Sequence, residues 1–355
     1  MQRIRIGVNV RFKRVELWPR TWPEVYREHL AYAAAADRLG FDGIWVPEHH
    51  CVPSGYNPAP FVALTAVAMA TERCWIGTQP LLLPLYNPVL VAEQAAVLDV
   101  ISGGRLILGV GAGYRAGDFE ALGMDRRERA QRTDEGLTIL ERLFAAHEPI
   151  DFAGRFYQIK GAQLHPGPVQ PKGPEIQLAT RSAAAIQRAA RHGVSVNMGL
   201  REAVPMYGPM LAEAARAAGH DPAGVGVSLA SIGYLGASEE AARARAEPYM
   251  QWDAREYLAW EDRPDEPQLA EARRTAAKTL TGFHTPDKWL ASLMEDMNSV
   301  MAAGLRPDWI NLSMWPPGMP LEEAIEGLER FAATVLPHVP RQDRGPTERV
   351  TWRTD

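Results

Sequence analysis

The chain has 355 residues, of which 46% are hydrophobic and 23% are charged. These are ordinary values for a globular protein, so they exclude a disordered or fibrous chain. The formal net charge of −5, without any block of basic residues, argues against a nucleic-acid or membrane-surface partner. Cys51 and Cys74 are the only cysteines, and no apolar run is long enough to span a bilayer. We therefore expect a cytoplasmic protein without disulfides.

Short apolar segments alternate with amphipathic segments along the first half of the chain. The pattern predicts strands at 4–10, 43–46, 74–79 and 105–109, and helices at 23–39, 61–71, 88–101 and 126–146. Gly40 fits as the residue that ends the first helix. Each predicted helix is long enough to return the chain across a parallel sheet.

The second half repeats this alternation. It predicts strands at 175–179, 194–198, 224–235 and 309–312, and helices at 182–192, 204–219, 238–250, 285–303 and 321–336. The chain thus contains eight strand–helix units. This number favours an α/β fold of the closed (β/α)₈ TIM barrel type over an open doubly wound sheet.

Two segments interrupt the alternation. Residues 147–174 carry short strand signals among many prolines and glycines, and residues 251–284 are charged and polar. We predict one barrel domain over residues 1–340, with both segments as insertions over the C-terminal mouth of the barrel, where they would exclude water as lids. Residues 341–355 are expected to form a loosely held polar tail.

Three ionisable residues, Glu48, His49 and His50, directly follow the apolar strand 43–46. In α/β barrels the C-terminal ends of the strands carry the catalytic residues. Metal binding is one interpretation, but the helical histidine spacing of zinc enzymes is absent. Another interpretation is a pair of histidines that only form hydrogen bonds within a loop and have no chemical role. We favour an imidazole that faces a cavity and acts in acid–base or polar recognition chemistry, without a metal.

A glycine-rich run, Gly109 to Gly113, follows the predicted strand 105–109. Its spacing does not complete the dinucleotide-binding pattern GxGxxG, because Tyr114 occupies the place of the last glycine. We instead expect these glycines to form a loop whose backbone lies close beneath a flat ligand.

Two further strand ends carry unusual residues. Gln79–Pro80 ends the strand 74–79, where proline marks a break at the rim and leaves both a trans and a cis bond open. Thr180, Arg181 and Ser182 combine a hydroxyl N-cap with a cation before a helix. This combination predicts an anion or phosphate site, although many such caps bind nothing.

Taken in order, these motifs resemble those of the bacterial luciferase-like monooxygenase family. The resemblance rests on Gly40-Phe41-Asp42 with Trp45 to His50, Ile76-Gly77-Thr78, Leu83-Pro84, Asn87-Pro88, residues 98–105, Gly109 to Gly113, Asp118-Phe119, Leu122-Gly123, residues 132–136 and residues 331–338. It extends over about residues 3–338. Each piece is common, but their combined order is specific.

The resemblance implies a (β/α)₈ barrel that uses a reduced flavin, usually FMN supplied by a separate flavin reductase, or the deazaflavin coenzyme F-420. Flavin members of the family react with O₂ to form a flavin hydroperoxide, which oxygenates a small organic substrate. We favour FMN and this monooxygenase activity. A coenzyme F-420-dependent oxidoreductase that transfers hydride, and a non-catalytic flavin-binding protein, are the alternatives. Family members are commonly dimers or tetramers, so a homo-oligomer is expected.

The resemblance also implies roles for individual residues. His49 matches the family's catalytic imidazole, and Glu48 and His50 match its neighbours. Gln79–Pro80 falls where the family often has a cis bond under the flavin ring. The residues expected to bind the cofactor are Thr78, Gln79, Pro80, Gly111, Gly113, Tyr114, Arg181, Ser182 and Ala183. The chain departs from the family pattern at 179–181, where many members have glycines or an acid, and at Ala112, where the luciferase branch has an arginine.

Overall fold

Eight parallel strands close into a barrel in this computed structural model, which describes residues 4–16, 18–180, 182–260 and 282–341. The strands are β1 (Arg5–Asn9), β2 (Gly43–Val46), β3 (Trp75–Thr78), β4 (Leu106–Gly111), β5 (Glu175–Ala179), β6 (Ser195–Gly199), β7 (Gly226–Leu235) and β8 (Arg306–Ser313). Each strand pairs with the next, and β8 pairs with β1. The predicted TIM barrel is confirmed.

Helices surround the barrel. They are α1 (Trp22–Leu39), α2 (Pro60–Ala70), α3 (Pro88–Ser102), α4 (Ala116–Ala121), α5 (Arg129–Ala145), α6 (Ala183–His192), α7 (Val204–Ala217), α8 (Glu239–Ala259), α9 (Pro286–Ala302) and α10 (Leu321–Thr334). A capping box between Thr21 and Glu24 starts α1, and Gly40, in the left-handed conformation, ends it as predicted. Within the described ranges no helix is both long and apolar enough to cross a membrane.

Large aromatic side chains fill the inside of the barrel. Trp45 and Trp309 are fully buried and meet edge to face, with their ring centroids 5.1 Å apart. Glycines on the strands make room for them: a Cβ atom at Gly77 would lie 2.5 Å from the Trp45 ring, and one at Gly43 would lie 2.7 Å from the Trp309 ring. The interior is therefore a packed core, and any ligand must bind at the mouth above it.

The segment 147–174 contains an antiparallel hairpin, Ile150–Ala153 with Gln158–Ala162. Its turn binds the Glu135 carboxylate on α5 through backbone N–H groups. The Tyr157 hydroxyl donates to the Tyr86 carbonyl at 3.2 Å, so the hairpin reaches toward the mouth, and its role as a lid stays a prediction. After the hairpin the segment returns to the N-terminal face of the barrel, where the next strand begins. Its end bonds there to Asp99 and to the Leu106 carbonyl.

Two predicted boundaries are also corrected. Helix α8 does not end at residue 250 but continues to Ala259, so the first part of the segment 251–284 is helical. Residues 261–281 lie outside the described residues. Arg341, which we assigned to a loosely held tail, forms an ion pair with Asp42 and donates to the Gly40 carbonyl at 2.6 Å. The rest of that tail, 342–355, is outside the described ranges.

Candidate active site

A buried polar network lies at the C-terminal ends of β2, β3 and β4. The central residue of this network is Glu48, which is 1% exposed. The Glu48 carboxylate accepts hydrogen bonds from the Leu82 N–H at 2.6 Å and from the Tyr86 hydroxyl, and it lies 2.6 Å from His50 Nε2. These three partners compensate for the cost of burying a carboxylate and fix the chain direction after β2.

His50 is the side-chain partner of Glu48. Burial by itself would lower the pKa of His50, but the hydrogen bond and the charge of Glu48, together with the Asp118 charge, raise it above its usual value. The contact with Glu48 therefore favours the protonated form of His50 and links the two side chains at the rim. Both residues were singled out in the sequence, and the structure brings them together.

His49 points toward a different carboxylate. Its Nδ1 atom lies 3.3 Å from Oδ2 of Asp118, which is fully buried on the short helix α4. The other oxygen of Asp118 accepts from the His50 N–H at 3.0 Å and from Arg115 at 2.8 Å. Because a carboxylate only accepts, Nδ1 of His49 carries a proton, and Nε2 is the ring nitrogen that Asp118 does not engage.

The charge of Asp118 is secured by these same contacts. Burial works to raise the pKa of Asp118, but the hydrogen bonds from His49, the His50 N–H and Arg115 outweigh burial and lower it. Asp118 and Arg115 are site residues that we did not assign from the sequence. The motif that contains Asp118 was visible, but its contact with His49 was not.

Three aromatic rings surround His49. The ring centroids of Tyr56, Tyr114 and Trp260 lie 5.0, 5.7 and 4.7 Å from the imidazole. The Tyr56 hydroxyl bonds to that of Tyr257, and burial raises the pKa of Tyr56. Trp260 immediately follows helix α8, so the segment after residue 250 does reach the mouth. Together the rings keep bulk water away from His49.

The residues predicted to bind a cofactor lie at the ends of three strands. The Thr78 hydroxyl is buried and donates to the Gly109 carbonyl at 2.6 Å, so it serves the barrel wall. The Gln79–Pro80 bond is cis. The side-chain oxygen of Gln79 is buried and has no hydrogen-bond partner among the described residues.

The glycine run is not the loop that we expected. Strand β4 continues through Gly109 and Gly111. A Cβ atom at Gly109 would lie 2.0 Å from the Thr78 carbonyl oxygen, and one at Gly111 would lie 2.8 Å from the Pro80 ring. Because these two glycines lack side chains, the end of β3 can pack closely against β4. Gly113 has a positive φ of 74° and turns the chain toward Tyr114.

The predicted phosphate turn lies at the end of β5. Ser182 caps α6, where its hydroxyl accepts from the Ala185 N–H at 3.2 Å, and both Ser182 and Ala183 are exposed. Arg181 lies outside the described residues. The structure thus brings Tyr114 against His49, while Ser182 and Ala183 lie at the start of α6, after the third strand from β2. In the described part of the chain, no group of three or more histidine, cysteine or acidic residues could hold a metal ion.

Comparison with known proteins places this architecture in a family. The chain belongs to the luciferase-like monooxygenase family, whose model matches residues 5–298.

Relatives of two kinds match the chain. The oxygenase component of a flavin-dependent trigonelline monooxygenase from Acinetobacter baylyi is 29% identical over 50% of this chain and 49% of its own. An F420-dependent glucose-6-phosphate dehydrogenase from Amycolatopsis mediterranei is 31% identical over 41% of this chain and 45% of its own. The chain thus spans about half the length of the curated relatives it matches.

A solved structure matches over a longer range. The monooxygenase RslO1 from Streptomyces bottropensis superposes with a TM-score of 0.82 and 27% sequence identity, covering 94% of this chain and 99% of that one. The likeness therefore includes nearly all of the barrel.

Proposed function

We propose that this protein is a flavin-dependent monooxygenase that uses reduced FMN and O₂ to oxygenate a small organic substrate. The observation that carries the proposal is the geometry of His49, whose Nδ1 is held by the buried Asp118 while three aromatic rings enclose the imidazole. An oriented imidazole in a water-poor site is suited to proton transfer.

The residues at the mouth fit a flavin. The buried and unpartnered oxygen of Gln79 needs an N–H donor, which an isoalloxazine ring offers. We propose that Thr78, Gln79, Pro80, Gly111, Gly113 and Tyr114 hold the ring, and that Arg181, Ser182 and Ala183 hold the phosphate. Ser182 and the first turn of α6 support the second assignment, because free backbone N–H groups at a helix start attract anions. When bound, reduced FMN supplies the electrons with which O₂ is activated.

Each protein group then has a definite task. His49 Nε2 accepts or returns a proton beside the reacting atoms, while Asp118 keeps the other nitrogen protonated. Glu48 and His50 hold the loop rigid. Tyr56 and Trp260 exclude water. Exclusion of water favours the transfer of oxygen to the substrate over the unproductive reduction of O₂ to hydrogen peroxide.

The proposal includes the partners of the reaction. A separate flavin reductase supplies the reduced FMN, as the name of the trigonelline relative, an oxygenase component, supports. Cys51 and Cys74 are both free thiols, which supports residence in the reducing cytoplasm. Coenzyme F-420 with hydride transfer is the second candidate, because relatives that use it match equally well.

One experiment tests these assignments. The purified protein is titrated anaerobically with reduced FMN and with reduced coenzyme F-420, and O₂ uptake is then followed across a substrate panel. We expect tight binding of FMN and substrate-dependent O₂ uptake. Reduced F-420 that supports turnover without O₂ uptake would instead establish the dehydrogenase, and flavin binding without turnover of any substrate would leave a binding protein.

The His49→Gln variant sharpens the test. We expect it to bind flavin like the wild type and to lose roughly 100-fold or more of substrate oxidation, the usual contribution of a positioned acid–base group. The matched control is His147→Gln, which changes an exposed histidine. Wild-type turnover by His49→Gln would remove the catalytic role.

A further inference from the structure

A cavity lies on the far side of the barrel rim from Ser182; it offers about 30 Å³ to the centre of a water molecule, within about 480 Å³ of empty space that includes open solvent. It is bounded by the segment after β1, by the start of α1 and by the loop after β8. Its walls include four basic side chains, Arg11, Lys13, Arg14 and Arg20, and two indole rings, Trp18 and Trp315. Nothing in the proposed flavin chemistry uses this cavity.

One wall cation has no carboxylate partner among the described residues. Glu28 is the one acid among the lining residues of the cavity, and it is paired with Arg20 at 2.8 Å. Arg11 and Lys13 pair with Asp253 on helix α8, and the ammonium group of Lys13 lies over the Tyr56 ring. The remaining cation is Arg14, which is exposed at the entrance and stacks over the Trp22 ring. This cation attracts negative charge to the entrance.

An unused donor adds to the charges. The indole N–H of Trp18 is buried and has no hydrogen-bond partner among the described residues. His29 contributes a different group: its Nδ1 donates to the Val25 carbonyl at 2.7 Å, and burial between the rings of Phe12 and Trp315 lowers the pKa of the imidazole, which favours its uncharged form. Buried donors are normally paired, so the free indole N–H indicates a missing acceptor.

We propose that this cavity binds the oxyanion group of a small molecule, such as a carboxylate or a phosphate, and we call it the oxyanion cavity. Arg14 and the Trp18 N–H donate to the anion directly. Arg11 and Lys13 supply positive charge from the wall, and the rings of Trp18 and Trp315 accommodate the organic part of the ligand.

The oxyanion cavity is connected to the mouth through Arg11 and Lys13. Both cations pair with Asp253 on helix α8, and Lys13 also pairs with Glu256. The same stretch of chain carries Trp260 onto His49. A bound oxyanion therefore competes with Asp253 for two buried cations, which must keep a counter-charge from one side or the other.

The experiment is calorimetric titration of the full chain, in Tris chloride, with sodium benzoate, sodium acetate and sodium phosphate as separate probes. We expect saturable binding of at least one probe, weakened by added salt. Comparing the affinities of benzoate and acetate with that of phosphate distinguishes a carboxylate site from a phosphate site. Comparing the affinity of benzoate with that of acetate shows whether the indole rings contribute to binding.

Variants of the wall residues test whether the anionic probes bind in this cavity or elsewhere on the surface of the protein. Arg14→Gln and Trp18→Phe should each weaken binding about tenfold, the usual effect of losing one hydrogen bond to a charged group. Asp253→Asn should tighten binding, because it removes the internal competitor. The control is Arg5→Gln, which has the same charge change on β1 but pairs with Asp308 away from the cavity.

Three outcomes would overturn the proposal. These are no saturable binding of any probe, an Arg14→Gln affinity no weaker than that of Arg5→Gln, or an Asp253→Asn affinity no tighter than wild type. If circular dichroism shows that Asp253→Asn is misfolded, the exposed Arg14→Gln and the conservative Trp18→Phe decide the matter alone.

Discussion

The hydrogen bond between His49 and Asp118 fixes the chemistry of the mouth at the scale of single residues. Asp118 is fully buried, and its pKa is lowered by the groups that it binds, so it is a permanent acceptor. This acceptor determines which nitrogen of His49 carries the proton. A change that keeps the shape of Asp118 but removes its charge should therefore alter which nitrogen of the imidazole is protonated, while the position of the ring stays the same.

The first prediction concerns Asp118→Asn. The amide can donate to Nδ1, which reverses the protonation of the ring, so we expect the turnover number to fall at least about tenfold, with a shifted pH profile and unchanged flavin affinity. Glu120→Gln, an exposed acid on the same helix, is the control. An unshifted pH profile would mean that Asp118 only stabilises the fold.

The second prediction concerns His29. Burial lowers its pKa to about 4 from 6.5, although its bond to the Val25 carbonyl acts in the opposite direction. A lowered histidine pKa means that the neutral form stabilises the fold above pH 6.5, and that this stability is lost as the pH falls toward 4. Two to three pKa units correspond to roughly 3 kcal/mol.

His29→Phe keeps the ring stack and removes the titration. We expect its free energy of unfolding, measured with urea at several pH values, to fall less steeply than that of the wild type between pH 6.5 and pH 4. His147→Gln, at an exposed position, serves as the reference. Parallel curves for His29→Phe and the wild type would show that His29 is not buried in its neutral form.

Part of this site could be predicted from the sequence, and the rest could not, for a physical reason. Glu48, His49 and His50 were visible because charged residues follow directly on an apolar strand. Asp118 lies 69 residues away from His49 on a helix of six residues, which is too short to produce a periodic pattern. Trp260 contacts the imidazole only because α8 extends to Ala259, which the polar composition after residue 250 did not indicate.

At the scale of elements, the strand β4 shows how closely the barrel wall is packed. Gly109 has no space for a side chain, because the carbonyl oxygen of Thr78 occupies the place of a Cβ atom. The obstacle is backbone rather than a flexible side chain, so the two strands would have to move apart. We therefore read this glycine as a requirement of strand packing.

The third prediction follows from that contact. Gly109→Ala should destabilise the fold by about 1–3 kcal/mol, the usual effect of overpacking, as measured by urea unfolding. Gly167→Ala is the control, because a Cβ atom there meets nothing within 4 Å. Equal stability of the two variants would contradict this interpretation of β4.

Helix α8 illustrates why element boundaries were harder to predict than elements. Its sequence becomes polar after residue 250, which suggested an irregular insertion. In the fold, Asp253 and Glu256 are largely buried because they pair with Arg11 and Lys13, more than 200 residues earlier in the chain. Local composition cannot show a counter-ion that is supplied by another part of the barrel.

At the scale of the whole molecule, one face of α2 is left uncovered by the part of the chain that the structure describes. The helix contains no charged residue, and helices that are apolar all round are normally buried. Val62 and Met69 are nevertheless 72% and 75% exposed, and Leu90 and Val97 are exposed on the adjacent helix α3. We propose that a second copy of the chain covers this face in a symmetric dimer.

The fourth prediction tests that dimer. Light scattering after size-exclusion chromatography should give a dimer for the wild type and a monomer for the double variant Val62→Lys, Met69→Lys, because two buried charges per subunit would oppose association. Met206→Lys, at an exposed methionine on α7, should leave the mass unchanged. A monomeric wild type would remove this interface.

The overall architecture was the most predictable level, because it depends on many residues at once. Eight apolar segments separated by helices long enough to cross over leave few topologies, and errors at single boundaries do not change their number. The contact of Tyr157, in the segment 147–174, with the Tyr86 carbonyl near the mouth could not be predicted from local composition.

The two cysteines differ in a way that has a practical use. Burial raises the pKa of the Cys74 thiol to about 12, whereas Cys51 is exposed and directly follows His50. Maleimide reagents react with the thiolate, so they should modify Cys51 alone. The unaltered protein thus carries a single attachment point for a fluorophore beside the proposed active site, and the emission of that dye would record the binding of a ligand there without any mutation.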